Sequence, residues 1–369
     1  MFSVISLVAL LSILPAAFAQ SPVWGQYYSQ CLPGAAPPTT TTPPASPSSS
    51  PTTPTSTQGG ATPTSGATCP GPKTKFQYFG VNESGAEFGS TTWPGELGKD
   101  YTWPAPSSID YFVENGFNVF RVTFLMERMN PPATGLLGPF NETYLSGLTT
   151  TVSYITEKGA FAIIDPHNYM RYDNAIINST TEFQSWWQSL ATVFATNPNV
   201  IFDVQNEPYG IDAGTVFDLN QAAINGIRAS GATSQLILVE GTSYTGAWTW
   251  ISSGNGAVFG AIQDPSNNVA VEMHQYLDSD GSGTSATCVN NTIGVDRLQS
   301  ATQWLQENNL KGFLGEIGAG SNTDCAEAVA GALCLMQQSD VWIGASWWAA
   351  GPWWGTTYYQ SIEPPADLP

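Results

Sequence analysis

The chain has 369 residues and carries 29 acidic against 10 basic side chains, a formal charge of −19; nucleic acid and anionic membranes need a basic surface, so both are excluded as partners. Charged residues make up only 11 % of the sequence and aromatics 12 %, 13 of them Trp, which suits a neutral, hydroxyl-rich ligand. The only histidines are His167 and His274, too few for a three-His zinc site; no Cys-x-x-Cys pair replaces it, and neither metal nor other cofactor is expected.

Residues 1–19 read as a signal peptide: an apolar run from Val4 to Leu14, then Ala17-Phe18-Ala19 as a cleavage site. The run is too short to cross a bilayer, so a secreted, extracellular protein is expected. In residues 20–34, Trp24-Gly25-Gln26 and Tyr27-Tyr28-Ser29-Gln30-Cys31-Leu32 resemble the first and last pieces of a fungal family 1 cellulose-binding module, joined without the middle. The resemblance implies that Trp24, Tyr27 and Tyr28 are its cellulose-facing rings. Cys31 alone of its framework cysteines is present, so this remnant is expected to be unfolded and a poor cellulose binder. Residues 35–68 are almost all Pro, Thr, Ser, Gly and Ala and cannot bury a core; they read as a disordered Pro/Thr/Ser linker.

Residues 69–369 form the main domain. Short β-rich runs at 77–81, 118–123, 161–164, 200–204, 236–239, 269–273, 312–314 and 341–345 alternate with helical patterns at 143–158, 181–196, 215–229, 295–308 and 325–338. Eight strands alternating with helices predict an α/β fold, a (β/α)8 TIM barrel of ordinary size for one domain. The fifth helix, after Tyr244, is poorly marked. Only 21 residues follow Trp348, short for a closing eighth helix, so the barrel is expected to be incomplete there. Trp186 and Trp187 sit inside a helical pattern and are expected in the core; Trp93, Trp103, Trp248, Trp250, Trp353 and Trp354 are divided between core and ligand subsites.

Reactive residues follow these strands in succession: Asp165-Pro166-His167-Asn168, Gln205-Asn206-Glu207-Pro208, Glu240-Gly241, His274-Gln275-Tyr276, Gly315-Glu316 and Trp347-Trp348. In a barrel these strand ends converge on one face, where chemistry is done. Two carboxylates across a sugar-lined cleft suffice for glycosidic hydrolysis, and Glu207 and Glu316 are the best-placed pair. The acid must hold a proton, which neighbouring carboxylates favour; the nucleophile must stay ionised, which Arg121 and the Tyr276 hydroxyl can secure. Asn206 is placed to donate to the sugar. Trp348 is expected as the floor on which a pyranose stacks, with Trp347 its competitor because adjacent strand residues face opposite ways.

These motifs, together with Phe120-Arg121-Val122, Ile201-Phe202-Asp203-Val204, Glu272-Met273-His274-Gln275-Tyr276-Leu277-Asp278 and Trp347 to Gly355, resemble glycoside hydrolase family 5, subfamily 5, the fungal endo-β-1,4-glucanases, over residues 69–364. The resemblance implies a retaining enzyme acting on cellulose and soluble β-glucans, with Glu207 as acid/base and Glu316 as nucleophile. It also implies substrate-binding roles for Arg121, His167, Asn206, His274, Tyr276 and Trp348. A Cys288–Cys325 bridge follows from their neighbouring places on the rim and from the resemblance; Cys69 with Cys334 is a possible pair that spacing does not support, and Cys31 is the expected orphan. The family also leads us to expect a further helix where the chain instead ends in Ile362-Glu363-Pro364-Pro365-Ala366-Asp367-Leu368-Pro369. Sequons make Asn82, Asn141, Asn178 and Asn290 glycosylation candidates, Asn82 lying close to a core strand. The protein is expected to be a monomer. A β-mannanase, xyloglucanase or β-1,3-glucanase on the same barrel is the nearest alternative. A non-catalytic glycan binder has no need of both Glu207 and Glu316, and no Gly-x-Ser-x-Gly elbow supports an esterase or protease.

Overall fold

The computed structural model describes Cys69 and residues 72–355 and 357–365. The signal peptide, the module remnant, the linker and Cys31 lie outside the described residues. Eight parallel strands close a barrel in the order β1 (Tyr78–Glu83), β2 (Val119–Phe124), β3 (Phe161–Pro166), β6 (Val200–Asp203), β7 (Ile237–Glu240), β8 (Val269–His274), β9 (Gly312–Ile317) and β10 (Trp342–Ala350), with β10 pairing back onto β1. All eight predicted strands are present, several running further toward the site than expected. A small hairpin, β4 (Arg171–Tyr172) with β5 (Ala175–Ile176), stands on the loop after β3.

The strands are near-continuous apolar runs because both faces are covered. One face meets the outer helices α1 (Pro106–Glu114), α2 (Met126–Met129), α3 (Glu142–Glu157), α4 (Thr180–Phe194), α5 (Ala213–Ala229), α6 (Asn255–Val258), α7 (Ile293–Glu307) and α8 (Thr323–Ser339). Helix starts are set by polar caps: the Asn141 side chain accepts from Tyr144 N, Ser179 from Glu182 N, and Asn322 from Cys325 N. Each helix then buries one stripe; on α3 it is Tyr144, Leu148, Val152 and Ile155. Each such side chain contributes about 1.5–3 kcal/mol through removal from water. Trp186 and Trp187 are in this outer core as expected, and so is Trp250.

The other strand face fills the barrel in layers, as the two-residue period of a strand requires. Tyr78, Val119, Ile163, Ile201, Leu238, Ala270 and Phe313 pack together as an apolar plug. Two residues further along the same faces lie Arg121, Asp165, Asp203, Glu240 and Glu272, all fully buried. An apolar floor beneath a charged layer therefore follows directly from alternation along the strands.

Four features bear on these expectations. The fifth helix is only the four-residue α6 followed by a 3-10 turn at Phe259–Ala261. The first helix, α1, was not anticipated; Pro106 starts it, where a missing N–H costs nothing. The barrel is closed, and no helix follows β10 among the described residues. Instead residues 357–365 form an irregular strap: Ile362 N donates to Ala349 O at 3.1 Å, Trp347 Nε1 to Gln360 O at 2.8 Å, and Gly351 N to Glu363 Oε2 at 2.8 Å. Ile362 enters the core, and Pro364-Pro365 bars a helix at that point. Finally, Asn82 is no glycosylation site in this fold, because its fully buried amide donates to Gly315 O and Trp347 O; Asn178 and Asn290 are exposed, and Asn141 is a half-buried cap.

Both bridges form. Cys288–Cys325 has Cα atoms 5.3 Å apart, and Cys69–Cys334, which spacing did not support, has them 5.5 Å apart across 265 residues of sequence.

Candidate active site

The strand ends of β3, β6, β8, β9 and β10 surround a cavity of about 730 Å³, lined among others by His167, Glu207, His274, Tyr276, Glu316 and Trp348. Glu207 lies just beyond β6 with a left-handed backbone (φ +46°), a conformation costing a non-glycine residue on the order of 1–2 kcal/mol. Its N–H donates to Glu240 Oε2 at 2.6 Å, which holds that turn. Glu316 sits within β9. One oxygen of Glu207, one of Glu316 and a nitrogen of His274 all lie within 4.8 Å of one another.

The two carboxyls have different surroundings. Glu316 Oε1 accepts from Arg121 Nη1 at 3.0 Å and its Oε2 from the Tyr276 hydroxyl at 2.5 Å. Burial raises its pKa and outweighs the downward pull of Arg121, His167 and the Tyr276 hydroxyl, which keep the rise smaller than that of Glu207. Glu207 has no cation in hydrogen-bond contact; its Oε1 lies 2.8 Å from His274 Nδ1. Burial first, and the charge of Glu316 second, push Glu207 well above the usual carboxylate range. Such a divided pair separates an acid from a nucleophile.

Arg121 is the hub beneath. It forms ion pairs of 2.9 to 3.3 Å with Asp165, Asp203, Glu240, Glu272 and Glu316, and donates to Asn82 and Asn206. Five carboxyls around one cation cannot all ionise cheaply. Burial pushes Asp203 up to about 7, and Glu240 and Glu272 well above the ordinary range. An acid whose pKa is raised by folding binds protons more tightly in the native state, so stability is lost as pH climbs from about 4 through 7. The Tm should therefore be lower at pH 8 than at pH 5 by roughly 5 °C or more; scanning calorimetry at the two values checks this, and an equal or higher Tm at pH 8 would contradict it.

His167 and His274 carry opposite shifts. Burial opposes charge on His167, but Asp165, 2.7 Å from its Nδ1, outweighs it and raises the pKa. His274 is lowered well below the usual value by burial and by Arg121 and His167, so it is a neutral imidazole. Asn206 Nδ2 is 3.2 Å from His167 Nε2. Like Arg121, Asn206 is fully buried and lies behind the cleft wall rather than on it.

Of the two neighbouring tryptophans, Trp348 lines the cleft and stacks on His167 with ring centroids 5.5 Å apart, whereas Trp347 is buried. Trp348→Ala should lower kcat/KM about tenfold by removing a stacking face; an unchanged value on a soluble β-glucan would remove Trp348 from the site. Trp248 and Tyr244, both half exposed, line the same cavity, as do Tyr169 and Tyr209. Tyr209 stacks on Tyr244 at 4.8 Å with Arg171 over its other side at 3.9 Å. These three tyrosines, and the roles of Asp165, Asp203, Glu240 and Glu272, escaped the sequence reading. The carboxyls were available from strand alternation with Arg121 and His274; the tyrosines sit in loops with no period to read.

Paired carboxyls in an aromatic-lined cleft at the strand ends of a (β/α)8 barrel define a glycoside hydrolase. Residues 81–351 match the family Cellulase (glycosyl hydrolase family 5), and the chain belongs to that family. It is 54% identical over 291 residues to endo-beta-1,4-glucanase B of Aspergillus niger, covering 79% of this chain and 86% of the relative. It is 51% identical over 297 residues to endoglucanase 3 of Humicola insolens, covering 80% and 75%. Among solved structures, XacCel5A in complex with cellopentaose superposes with a TM-score of 0.76 at 41% identity, covering 79% of this chain and 95% of that one.

Proposed function

We propose that this glycoside hydrolase is an endo-β-1,4-glucanase that cleaves internal β-1,4-glucosidic bonds of cellulose and soluble β-glucans by double displacement. The observation that carries the mechanism is the Glu207–Glu316 pair, one oxygen of each lying within 4.8 Å of the other; that closeness favours retention, for which the carboxyls stand about 5–5.5 Å apart, over inversion, for which roughly 6.5–9.5 Å leaves room for a water. Glu316 attacks the anomeric carbon, the glycosidic C–O bond breaks, and the Glu207 proton goes to the leaving oxygen. Water then gives a proton to Glu207 while its oxygen bonds the anomeric carbon and the ester to Glu316 breaks. Arg121 and Tyr276 hold the nucleophile, His274 the acid, and Trp348 the sugar face. The names of the fungal relatives and the cellopentaose complex support the substrate, and the motifs around Asp165 and Glu272 support placement in subfamily 5.

The enzyme acts outside the cell as a monomer, after removal of residues 1–19. Residues 20–34 are the remnant of a family 1 cellulose-binding module, and residues 35–68 are its linker. The two disulfides support the extracellular reading, since such bridges persist in an oxidising compartment. The test is viscosity loss against reducing-end release on carboxymethyl cellulose, beside mannan, xyloglucan and β-1,3-glucan. A fast viscosity fall on the cellulose derivative alone is expected; preference for another glycan would move the substrate assignment to it.

A further inference from the structure

Behind His274 stand two carboxyls that the double displacement does not use. His274 Nε2 is 3.4 Å from Glu272 Oε1 and 3.7 Å from Glu240 Oε1. Both oxygens face the Arg121 guanidinium: Glu240 Oε1 accepts from Nη2 at 3.3 Å, and Glu272 Oε1 is ion-paired 3.2 Å from Nε, whose hydrogen goes to Asp203 Oδ2. Glu240 Oε2 also accepts from Glu207 N, while Glu272 Oε2 is buried with no hydrogen-bond partner. A proton taken up by Glu272 would therefore sit on Oε2, leaving Oε1 an acceptor in either charge state. The chain makes room for this carboxyl: a Cβ on Gly315, next to the nucleophile, would lie 1.6 Å from Glu272 Oε1.

We propose that Glu272, seconded by Glu240, is a positioning residue for the acid: it fixes His274 as the Nε2–H tautomer, whose bare Nδ1 holds the proton on Glu207. The assignment rests on the reading of Glu207 as acid/base. A neutral imidazole has one N–H, and at Nε2 that hydrogen meets Glu272 Oε1 at 3.4 Å, with the Glu240 carboxyl adding a favourable field from 3.7 Å. Nδ1 is then a lone pair 2.8 Å from Glu207 Oε1. Two acceptors do not sit at that distance without a hydrogen between them, so the carboxyl supplies it. Once the proton has gone to the leaving oxygen, the Glu207 carboxylate faces that lone pair, and the repulsion favours regaining a proton from water.

The charged and titratable groups facing this assembly are Arg121 from β2, Asp165 and His167 from β3, Asp203 and Glu207 from β6, Glu240 from β7, and Glu316 from β9. Burial, Arg121 and His167 keep His274 from taking a second proton.

With only two histidines in the chain, long-range proton–nitrogen spectra of the ¹⁵N-histidine-labelled full-length enzyme resolve both rings. His274 should carry its hydrogen on Nε2 in the unmodified protein. In Glu272→Gln the amide can donate to Nε2, so the hydrogen should move to Nδ1 and the basic limb of the kcat/KM profile should move about one unit toward acid. His274 as the Nδ1–H tautomer in the unmodified protein, a measurement that needs no variant, would overturn the proposal; so would a basic limb unmoved in a variant whose tautomer has changed. Failure of the acid/base assignment itself shows separately, as turnover of soluble cellulose by Glu207→Gln at the unmodified rate.

Discussion

Glu316→Gln is expected to lower kcat/KM on soluble cellulose by on the order of 10⁴-fold or more, because the step it performs has no substitute in the cleft. The amide matches the carboxylate in size; its oxygen can still accept from Arg121 Nη1, and its NH2 can donate to the Tyr276 hydroxyl oxygen in place of the bond that Oε2 accepted, so the loss comes from the missing nucleophile and not from collapse. The other carboxyls near Arg121 lie beneath the cleft floor, fully buried, and cannot reach a sugar. Removing one negative charge from an overcrowded cluster should leave Tm unchanged or slightly raised. Initial rates and a thermal scan on the same sample check both parts; activity within tenfold of the unmodified enzyme would sink the nucleophile assignment.

Glu207→Gln should separate substrates by their leaving groups. On cellulose the leaving alkoxide needs a proton, and loss of the acid should cost about 10²–10⁴-fold. On an aryl glucoside with a good leaving group the first step needs little help, so its loss should be much smaller, with hydrolysis of the glycosyl ester becoming rate-limiting because water then lacks its base. A burst of released phenol followed by a slow steady state is the expected trace. Equal losses on the two substrates would show that Glu207 is not the acid.

How far the site could be read from sequence depends on whether strand periodicity survives. On β8, Glu272 and His274 share a face because they are two apart, and the same rule stacks Ile163, Asp165 and His167 on β3. It breaks on β10, where Val81 pairs with Trp347 but Glu83 with Ala350, so that β10 gains a residue; Trp347 and Trp348 could not be told apart until the strand was seen to slip and the strap to receive Trp347 Nε1 at Gln360 O. The strap itself has no local signal, since its conformation is set by distant partners such as Ser108, whose hydroxyl donates to Glu363 Oε2. The Asn-Glu-Pro turn gave Glu207 away by residue type, but its grip on Glu240 is a tertiary fact. Cys69–Cys334 was hidden for a similar reason, with partners 265 residues apart.

That bridge also decides how the barrel meets a mechanical load. Any pull transmitted along the chain from residues before Cys69 reaches a branch point there, and the short path runs through sulfur to Cys334 on α8. Residues 72–77 and β1 lie on the slack side of the branch. Tension arriving by that route would be borne by the outer helical layer, while Asn82, which donates to Gly315 O beside the nucleophile, would be spared the strain. By the same topology, one cut anywhere between Cys69 and Cys334 leaves the two pieces covalently joined.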